Sequence, residues 1–463
     1  MMEQKLARNA DRSNQIDVID GETIVALSSG GLPSAVAIVR ISGPQAGRIA
    51  TDLGGSLPAP RSAHLCALRR PGDGALLDRG LSLWFPGPNS FTGEDMVELH
   101  LHGGPAVVKA VIAAVLELDC TRLAEPGEFT RRALLNGKLD LTEVEGIADL
   151  IAAETEGQRE QAVHRVSGEV RQLLTDWRTR LIHARAMIEA ELDFADEEDI
   201  PDSAGEQIWT DLSDLTSEMI HHLDRGKSGE RLRSGVQVAL LGRPNAGKSR
   251  LLNRLAQRDV AIVTEEAGTT RDVLEVHLDL QGFPVTVLDT AGLRLATGPI
   301  EKEGISRAVA RAKDADLVLW LWDGAIDSDA EPDAAVSKLP SIWTVENKTD
   351  RSGHVAKFDS DTKSFAISAE TGDGLGRLIE QLAEFAAERC GAGRDGIINR
   401  ERHRVLLSQS LEMIEAALHD RRKPREMVAE DLRGAADALG RLSGSIGVED
   451  LLDVIFSQFC VGK

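Results

Sequence analysis

Residues 242–249 read Gly-Arg-Pro-Asn-Ala-Gly-Lys-Ser, and this stretch decides the fold of the chain. An apolar, β-like run (236–241) precedes it, and a helix-like segment (251–255) follows it. A glycine-rich turn between a strand and a helix is typical of a P-loop, whose backbone N–H groups turn inward around phosphate oxygens. We therefore expect Lys248 to reach the β- and γ-phosphates of a nucleotide and the Ser249 hydroxyl to bind Mg²⁺.

Three more motifs each follow a short strand-like run. They are 289–292 (Asp-Thr-Ala-Gly), 347–350 (Asn-Lys-Thr-Asp) and 368–371 (Ser-Ala-Glu-Thr). Another apolar run, 317–322, is expected to be a buried strand of the same sheet. Because ligands bind past the carboxyl ends of strands in a doubly wound parallel sheet, the sequence predicts a Ras-like P-loop domain with one nucleotide site.

The motif at 347–350 indicates which base is bound. The Asp350 carboxylate can accept from both the ring N–H and the exocyclic amine of guanine, whereas adenine offers no such pair of donors. We therefore expect an enzyme that hydrolyses GTP to GDP and phosphate. Its predicted nucleotide-binding residues are Asn245, Ala246, Gly247, Lys248, Ser249, Arg250, Thr264, Thr269, Thr270, Asp289, Thr290, Ala291, Gly292, Asn347, Lys348, Asp350, Ser368 and Ala369.

The catalytic arrangement departs from that of the small signalling GTPases. Those proteins orient the attacking water with a Gln directly after the glycine of the Asp-x-x-Gly motif, which is 289–292 in this chain. Here the residue after Gly292 is Leu293. An apolar side chain cannot orient water, so Glu301 is our candidate for that role. The alternative is that Glu301 is one of several solvated acids, beside Glu303.

Charge on the transferring phosphoryl group must also be balanced. The Asn245 side chain could help to hold a monovalent cation that bridges the α- and γ-phosphates, as an arginine finger would do elsewhere. Alternatively, Asn245 only bonds the loop to itself. Thr270, in the switch-like segment 264–272, is the expected second Mg²⁺ ligand.

Composition indicates the setting of the protein. The chain has 463 residues, 42% of them hydrophobic, and it shows no apolar run of membrane-span length and no signal peptide. Its four cysteines are scattered, which fits reduced thiols in the cytoplasm. The net charge of −22 argues against a phosphate-backbone clamp, so a partner is expected to supply positive surface if RNA is bound.

The pattern along the chain predicts an interrupted helical domain. Residues 1–140 alternate strands and helices, 141–233 are helical, 234–390 form the GTPase domain, and 391–463 are helical again. GTPase termini lie close together, so one helical domain with an inserted GTPase domain is the economical interpretation. Two separate helical domains remain the alternative.

Six stretches outside the P-loop resemble one family. They are 40–43 (Arg-Ile-Ser-Gly), 84–95 (Trp-Phe-Pro-Gly-Pro-Asn-Ser-Phe-Thr-Gly-Glu-Asp), 102–105 (His-Gly-Gly-Pro), 125–129 (Glu-Pro-Gly-Glu-Phe), 136–141 (Asn-Gly-Lys-Leu-Asp-Leu) and 459–463 (Phe-Cys-Val-Gly-Lys). Over essentially its whole length, the chain resembles the MnmE (TrmE) family of tRNA modification GTPases. The loop 28–34 departs from the Pro-Pro-Gly-rich loop of many members.

The resemblance implies an N-terminal domain that binds a one-carbon tetrahydrofolate derivative and mediates homodimerisation. It also implies a potassium-dependent GTPase that works with an FAD-containing partner, in a heterotetramer-type complex. Together they would form the carboxymethylaminomethyl or aminomethyl group at C5 of the tRNA wobble uridine. The competing class is a GTP-dependent ribosome assembly factor.

The family's site residues carry over to matched positions of this chain. The resemblance assigns K⁺ to Asn245, Thr264, Glu266 and Thr269, Mg²⁺ to Ser249 and Thr270, the hydrolytic water to Glu301, and the folate to Arg40, Glu98, Lys138 and Lys463.

Overall fold

The computed structural model of the chain describes residues 21–193, 202–258, 260–262, 275–289, 312–326, 331–332, 336–339, 341–391, 396–419, 423–446, 452, 455–456, 459 and 461–462. Tertiary contacts divide the chain into two compact units, residues 1–144 with 447–463, and residues 145–446. Within the described ranges, each helix is too short or too polar to cross a lipid bilayer.

The first unit is built on a six-stranded sheet. Its elements are β1 Thr23–Leu27, β2 Ser34–Ser42, α1 Ala46–Gly54, β3 His64–Arg69, β4 Leu76–Phe85, β5 Met96–Gly103, α2 Pro105–Leu116, β6 Thr121–Leu123 and α3 Glu128–Leu135. The strand order is β3-β4-β5-β2-β1-β6, and all neighbours are antiparallel except β1 and β6.

Side chains alternate across this sheet, and β5 shows the consequence. Leu99 and Leu101 are buried in a core shared with α1 and α2. Glu98, between two core residues, lies on the opposite face. Arg40 of β2 is the register partner of Glu98, so the pair meets on the face away from that core.

The described residues of the terminal segment, which include Phe456, Val461 and Gly462, pack with this first unit. Val461 forms an antiparallel bridge with Pro126, and the Ser28 hydroxyl donates to the carbonyl of Gly462. The approach is close, because a methyl group added at Gly127 would lie 2.8 Å from the Phe456 ring. The structure therefore groups 447–463 with residues 1–144, whereas the sequence pattern grouped it with the second helical segment.

The second unit contains a helical bundle whose helices come from both sides of a second sheet. They are α4 Leu141–Ala152, which begins in the first unit, α5 Glu156–Val166, α6 Glu169–Asp193, α7 Asp202–Asp224, α8 Gly226–Ser234, α12 Glu401–His419 and α13 Arg425–Ser443. Trp177 of α6, Leu212 of α7, Ile414 of α12 and Leu432 of α13 belong to one buried cluster. The helices before and after the second sheet thus share a core.

The second sheet has seven strands in the described residues. Its elements are β7 Val236–Gly242, α9 Lys248–Ala256, β8 Glu275–Leu280, β9 Phe283–Asp289, β10 Leu317–Asp323, β11 Ile342–Asn347, α10 Thr349–Ser352, β12 Lys357–Asp359, β13 Ser364–Ala366 and α11 Leu375–Cys390. The order is β12-β13-β11-β10-β7-β9-β8, with β12 and β8 antiparallel to their neighbours and the rest parallel.

The position of β7 in this sheet decides where a ligand binds. The two parallel strands that follow β7 along the chain lie on opposite sides of it, β9 on one side and β10 on the other. The chain therefore changes its direction of winding across the sheet at β7. Such a switch point opens a crevice at the carboxyl end of the strand. The predicted fold class is confirmed: an N-terminal α/β unit, a discontinuous helical domain and an inserted doubly wound P-loop domain.

Candidate functional sites

The loop at the end of β7 has P-loop geometry. β7 ends at Gly242 and α9 begins at Lys248, whose ammonium group donates to the carbonyls of Gly242 and Arg243 at 2.8 and 2.9 Å. A methyl group at Gly242 would lie 2.1 Å from the Leu321 carbonyl oxygen, and one at Gly247 would lie 2.4 Å from the Asn347 amide nitrogen. Only glycine lets the loop pass this closely to its neighbours.

Asn347 joins the P-loop to the loop after β13. Its side chain is almost fully buried, donates to the Ala246 carbonyl at 2.8 Å and accepts from the Ala369 N–H at 3.0 Å. The Ser368 hydroxyl donates to Asp350 at 2.5 Å, and Asp350 remains exposed. The structure thus brings three of the predicted motifs together at the carboxyl edge of the sheet.

Lys348 lies along the P-loop and is held by an acid that the sequence analysis missed. Its ammonium group donates to the Asn245 carbonyl at 2.8 Å and to the Asp323 carboxylate at 2.7 Å. Asp323 is buried at the end of β10, beside its register partner Asn347. Burial opposes the charge of Asp323, but the bonds from Lys348 and the Ala325 N–H outweigh it and hold the pKa of that carboxyl below its usual range.

The sequence did contain a signal for Asp323. It is an acidic residue at the carboxyl end of an apolar strand, at the edge where the other motifs gather. Arg250 was predicted to contact the nucleotide, and in the structure it forms an exposed ion pair with Glu370.

Several predicted residues lie outside the described part of the chain. They are Thr264, Glu266, Thr269, Thr270, Thr290, Ala291, Gly292, Glu301 and Lys463. Asp289 is the last residue of β9 and the register partner of Leu240 in β7, so its backbone lies beside the strand that leads into the P-loop.

Arg40 and Glu98 form a half-buried pair on the first sheet. The Arg40 guanidinium donates twice to one Glu98 oxygen, at 3.0 and 2.9 Å. Its central carbon lies 5.2 Å from the Phe91 ring centre and 5.7 Å from that of Phe129. Lys138 is exposed, and its stem lies against Gly93, two residues past Phe91. Three predicted folate residues therefore lie around the segment 90–95.

A buried ion-pair network, which sequence reasoning missed, fixes that segment. Arg132 donates to Glu94 at 3.0 Å and to Glu128 at 3.0 Å, and Arg122 also pairs with Glu128. Burial opposes the charge of Glu128, but the Arg122, backbone and Arg132 contacts hold its pKa below the usual range. The Ser42 hydroxyl donates to Glu94 at 2.8 Å, which ties the segment to β2.

Comparisons with known proteins identify the family of the chain. Residues 141–460 match the family model described as the MnmE helical domain, and residues 23–138 match that of the GTP-binding protein TrmE N-terminus. The chain is 52% identical over 446 residues to a protein of Brucella anthropi named tRNA modification GTPase MnmE, covering 96% of this chain and 98% of that one. A protein of Brucella ovis with the same name is 52% identical over 444 residues, with 96% and 98% covered.

Solved structures match parts of the chain. The G domain of the T. maritima FeoB iron transporter is 24% identical and covers 33% of this chain and 98% of its own, with a TM-score of 0.24. Aquifex aeolicus Era Y63A bound to GDP·AlF4⁻ is 22% identical and covers 41% of this chain and 69% of its own, with a TM-score of 0.26.

The motifs that gather at the second sheet, the matched family models and the near-full-length relatives agree, and they do not favour the ribosome-assembly alternative. This chain belongs to the MnmE family of tRNA modification GTPases.

Proposed function

We propose that this GTPase depends on potassium and acts with an FAD-containing partner to form the carboxymethylaminomethyl or aminomethyl group at C5 of the tRNA wobble uridine. The observation that carries the proposal is the link made by Asn347 between the P-loop and the Ser368–Ala369 loop, in a chain of this family. That link supports a preformed guanine-nucleotide site.

In this proposal the nucleotide lies along the carboxyl edge of the second sheet. Asp350 reads the guanine N–H donors, and Lys248 with the N-terminal end of α9 attracts the phosphates. Ser249 and Thr270 would hold Mg²⁺, with Asp289 behind it, and Glu301 would position the attacking water. When bound, Mg²⁺ neutralises the charge that develops on the phosphates.

Potassium would be held by Asn245, Thr264, Glu266 and Thr269. Asn245 has a positive φ of 62° and lies exposed in the P-loop. Among the residues that the structure describes, its side-chain amide makes no hydrogen bond to the loop, so an amide oxygen available to a cation fits better than a purely structural role. When bound, K⁺ adds positive charge near the transferring phosphoryl group.

Cation dependence tests this assignment. We expect GTP hydrolysis to be faster in potassium chloride than in sodium chloride at matched ionic strength, and Asn245→Ala to remove the difference because a ligand oxygen is lost. Steady-state phosphate release measures the effect. If Asn245→Ala keeps the potassium preference, the ligand role of this side chain is wrong.

The folate proposal rests on the donor set of the first sheet. The Glu98 carboxylate can accept from pterin N–H groups, the Phe91 and Phe129 rings provide aromatic walls, and cations at Arg40, Lys138 and Lys463 can pair with carboxylates. Lys463 directly follows Gly462, which is held at Ser28. These residues fit a reduced folate, whose bound form would supply the one-carbon unit.

Nucleoside mass spectrometry of bulk tRNA tests the overall function. Cells that lack the gene are expected to lose the carboxymethylaminomethyl or aminomethyl wobble uridine, and the gene supplied in trans is expected to restore it. An unchanged tRNA profile would contradict the proposal.

We also propose the cytoplasm as the site of action, and a homodimer formed through the N-terminal unit. Of the predicted parts, 1–140, 141–233, 234–390 and 391–463, the last is proposed to contribute residues 447–463 to the N-terminal unit, since those residues pack there. Limited proteolysis tests the insertion: release of the GTPase part with the two helical segments still associated is the expected result.

A further inference from the structure

A widely open cavity of about 560 Å³ lies in the first unit. Its lining residues are Arg61, Pro86, Asn89, Ser90 and Lys138. The volume lies within the range of about 300–1,000 Å³ that small-molecule sites occupy. The cavity is therefore large enough for part of an organic ligand.

The lining of this cavity is positively charged. It contains one arginine and one lysine but no acidic side chain, in a chain with 75 acidic and 53 basic residues. Among the residues that the structure describes, neither Arg61 nor Lys138 pairs with a carboxylate. Two cations without a neutralising acid, facing one cavity, attract an anion.

The Arg61 side chain is held in place by the backbone around it. The Arg61 N–H donates to the Trp84 carbonyl at 2.8 Å, and its guanidinium donates to the carbonyl of Asn89. That bond engages only part of the guanidinium fork, which has five N–H donors. Arg61 can therefore bind a carboxylate while it stays anchored.

The segment that contributes Asn89 and Ser90 to the lining is also fixed. The Ser90 hydroxyl donates to the Glu94 carbonyl at 2.5 Å, and the Gly87 N–H donates to Asp95 at 3.0 Å. A methyl group at Gly93 would lie 3.3 Å from Cγ of Lys138, so the lysine stem lies against this segment. The cavity walls thus come from one internally bonded loop and the Lys138 stem.

The cavity shares Lys138 with the proposed folate residues and is linked to the Arg40–Glu98 pair through the segment 90–91. Ser90 lines the cavity, and the next residue, Phe91, packs its ring 5.2 Å from the Arg40 guanidinium carbon. A ligand whose ring system lies at Arg40, Glu98 and Phe91 would extend its tail past Ser90. A flexible tail with several carboxylates matches the cations beyond it.

We propose that this cavity, through Arg61 together with Lys138, binds the additional carboxylates of an oligo-γ-glutamyl tail on the reduced folate, so that the protein prefers polyglutamylated folates. This inference rests on the folate binding proposed above. Each added glutamate brings one more carboxylate, and Arg61 provides the planar fork that pairs with a carboxylate through two bonds. Lys138 would contact both the folate with its first glutamate and the added glutamates, whereas Arg61 would bind the added glutamates alone.

The test compares a stable one-carbon reduced folate with one glutamate and the same folate with three, by equilibrium titration on the full chain. Wild type is expected to bind the triglutamate about tenfold more tightly, a difference that shrinks as salt is added. Arg61→Gln is expected to bring the triglutamate affinity down to the monoglutamate value and to leave the monoglutamate affinity unchanged. Arg61→Lys is expected to retain part of the preference because it keeps the charge.

Arg79→Gln is the matched control, because Arg79 is an exposed arginine of the same sheet that does not line the cavity. It is expected to keep the full preference. Equal wild-type affinities for the two folates overturn the tail subsite but leave folate binding intact. Absence of binding to either folate instead overturns the proposed folate function, and with it this inference. An equal loss of both affinities in Arg61→Gln overturns the specific role of Arg61.

Discussion

Asp323, the last residue of β10, contributes a carboxylate that orients Lys348 at the nucleotide site. It holds the Lys348 ammonium at 2.7 Å while that ammonium also bonds the P-loop carbonyl of Asn245. Asp323→Asn keeps the shape of the side chain but removes its charge, so Lys348 is less firmly oriented. We expect GTP and GDP affinities to fall about tenfold, or about 1.4 kcal/mol.

Titration with a fluorescent guanine nucleotide measures this loss, and the melting temperature without nucleotide checks the fold. Asp314→Asn is the control, because Asp314 is exposed shortly before the same strand. If Asp323→Asn binds nucleotide as tightly as that control, Lys348 does not need its partner.

Sequence motifs and tertiary neighbours explain why some site residues could be predicted and others could not. Asn347, Lys348 and Asp350 lie within four positions at the carboxyl end of β11, so their local order was enough to predict that they lie at this edge of the sheet. The role of Asp323 depends on the pairing of β10 with β11, and that of Arg61 on a loop more than twenty residues away. The position of Asp323 at the end of an apolar strand is visible in the sequence, but the non-local contacts of Asp323 with Lys348 and of Arg61 with Asn89 leave no local pattern.

The terminal segment contains Phe456, Phe459 and Gly462. At Gly462 its backbone packs directly against the backbone of Leu27, at the end of β1. Gly462 has a φ of 101°, and a methyl group there would lie 1.8 Å from the Leu27 carbonyl oxygen. Gly462→Ala therefore cannot keep the segment in its place. We expect reduced-folate affinity to fall more than about tenfold, because Lys463 loses its anchor.

Equilibrium folate titration measures the effect, and protease sensitivity of the terminal segment reports its release. Gly376→Ala is the control, since Gly376 is helical with open space around it, and this variant is expected to bind folate as wild type does. Unchanged folate affinity in Gly462→Ala would show that the segment is not part of the site.

The helices and strands differ in how well they follow from sequence. Apolar spacing predicted helices on both sides of the P-loop domain, and Trp177 and Ile414 indeed share a core. The docking of the terminal segment could not be predicted, because Ser28 and Gly462 are 434 positions apart. The close packing depends on the absence of side chains at Gly462 and Gly127, and no periodic pattern in the sequence marks these positions.

The two connections of the inserted domain run side by side within the second unit. The Arg233 guanidinium donates to the Asn399 carbonyl at 3.0 Å, and a methyl group at Gly229 would lie 2.2 Å from the Ile398 carbonyl oxygen. The buried Arg165 guanidinium donates to the carbonyl of Ile397. The two connections of the P-loop domain are therefore joined by one tightly packed polar junction.

Glu145 and His403 form a buried hydrogen-bonded pair beside that junction, and we expect this pair to make the stability of the second unit depend on pH. The His403 ring donates to Glu145 at 2.7 Å, and Arg402 donates to the same carboxylate at 3.1 Å. Burial opposes the charge of Glu145, but His403, Arg402 and Arg400 hold the pKa of that carboxyl well below its usual range. The other His403 nitrogen, Nδ1, has no hydrogen-bond acceptor among the residues that the structure describes, so a second proton there would be buried without a partner.

Burial accordingly lowers the pKa of His403 to about 4, although Glu145 acts in the opposite direction. In the unfolded chain, a histidine has a pKa of about 6.5, so below that pH the unfolded state binds a proton that the folded state excludes. The stability that depends on His403 is therefore complete above about pH 6.5 and is lost as the pH drops toward 4. By pH 4.5 the His403 contribution to this loss amounts to about 2–3 kcal/mol.

His403→Gln tests this origin of the acid response, because a glutamine amide can still donate to Glu145 but does not titrate. We expect its free energy of unfolding, from urea denaturation at several pH values, to fall by about 2–3 kcal/mol less than that of wild type between pH 7.5 and 4.5. His354→Gln removes an exposed histidine that pairs with Glu346 and is expected to keep the wild-type pH dependence. A His403→Gln curve parallel to the wild-type curve would mean that other groups control the acid response, whereas a flatter curve would assign it to this one buried imidazole.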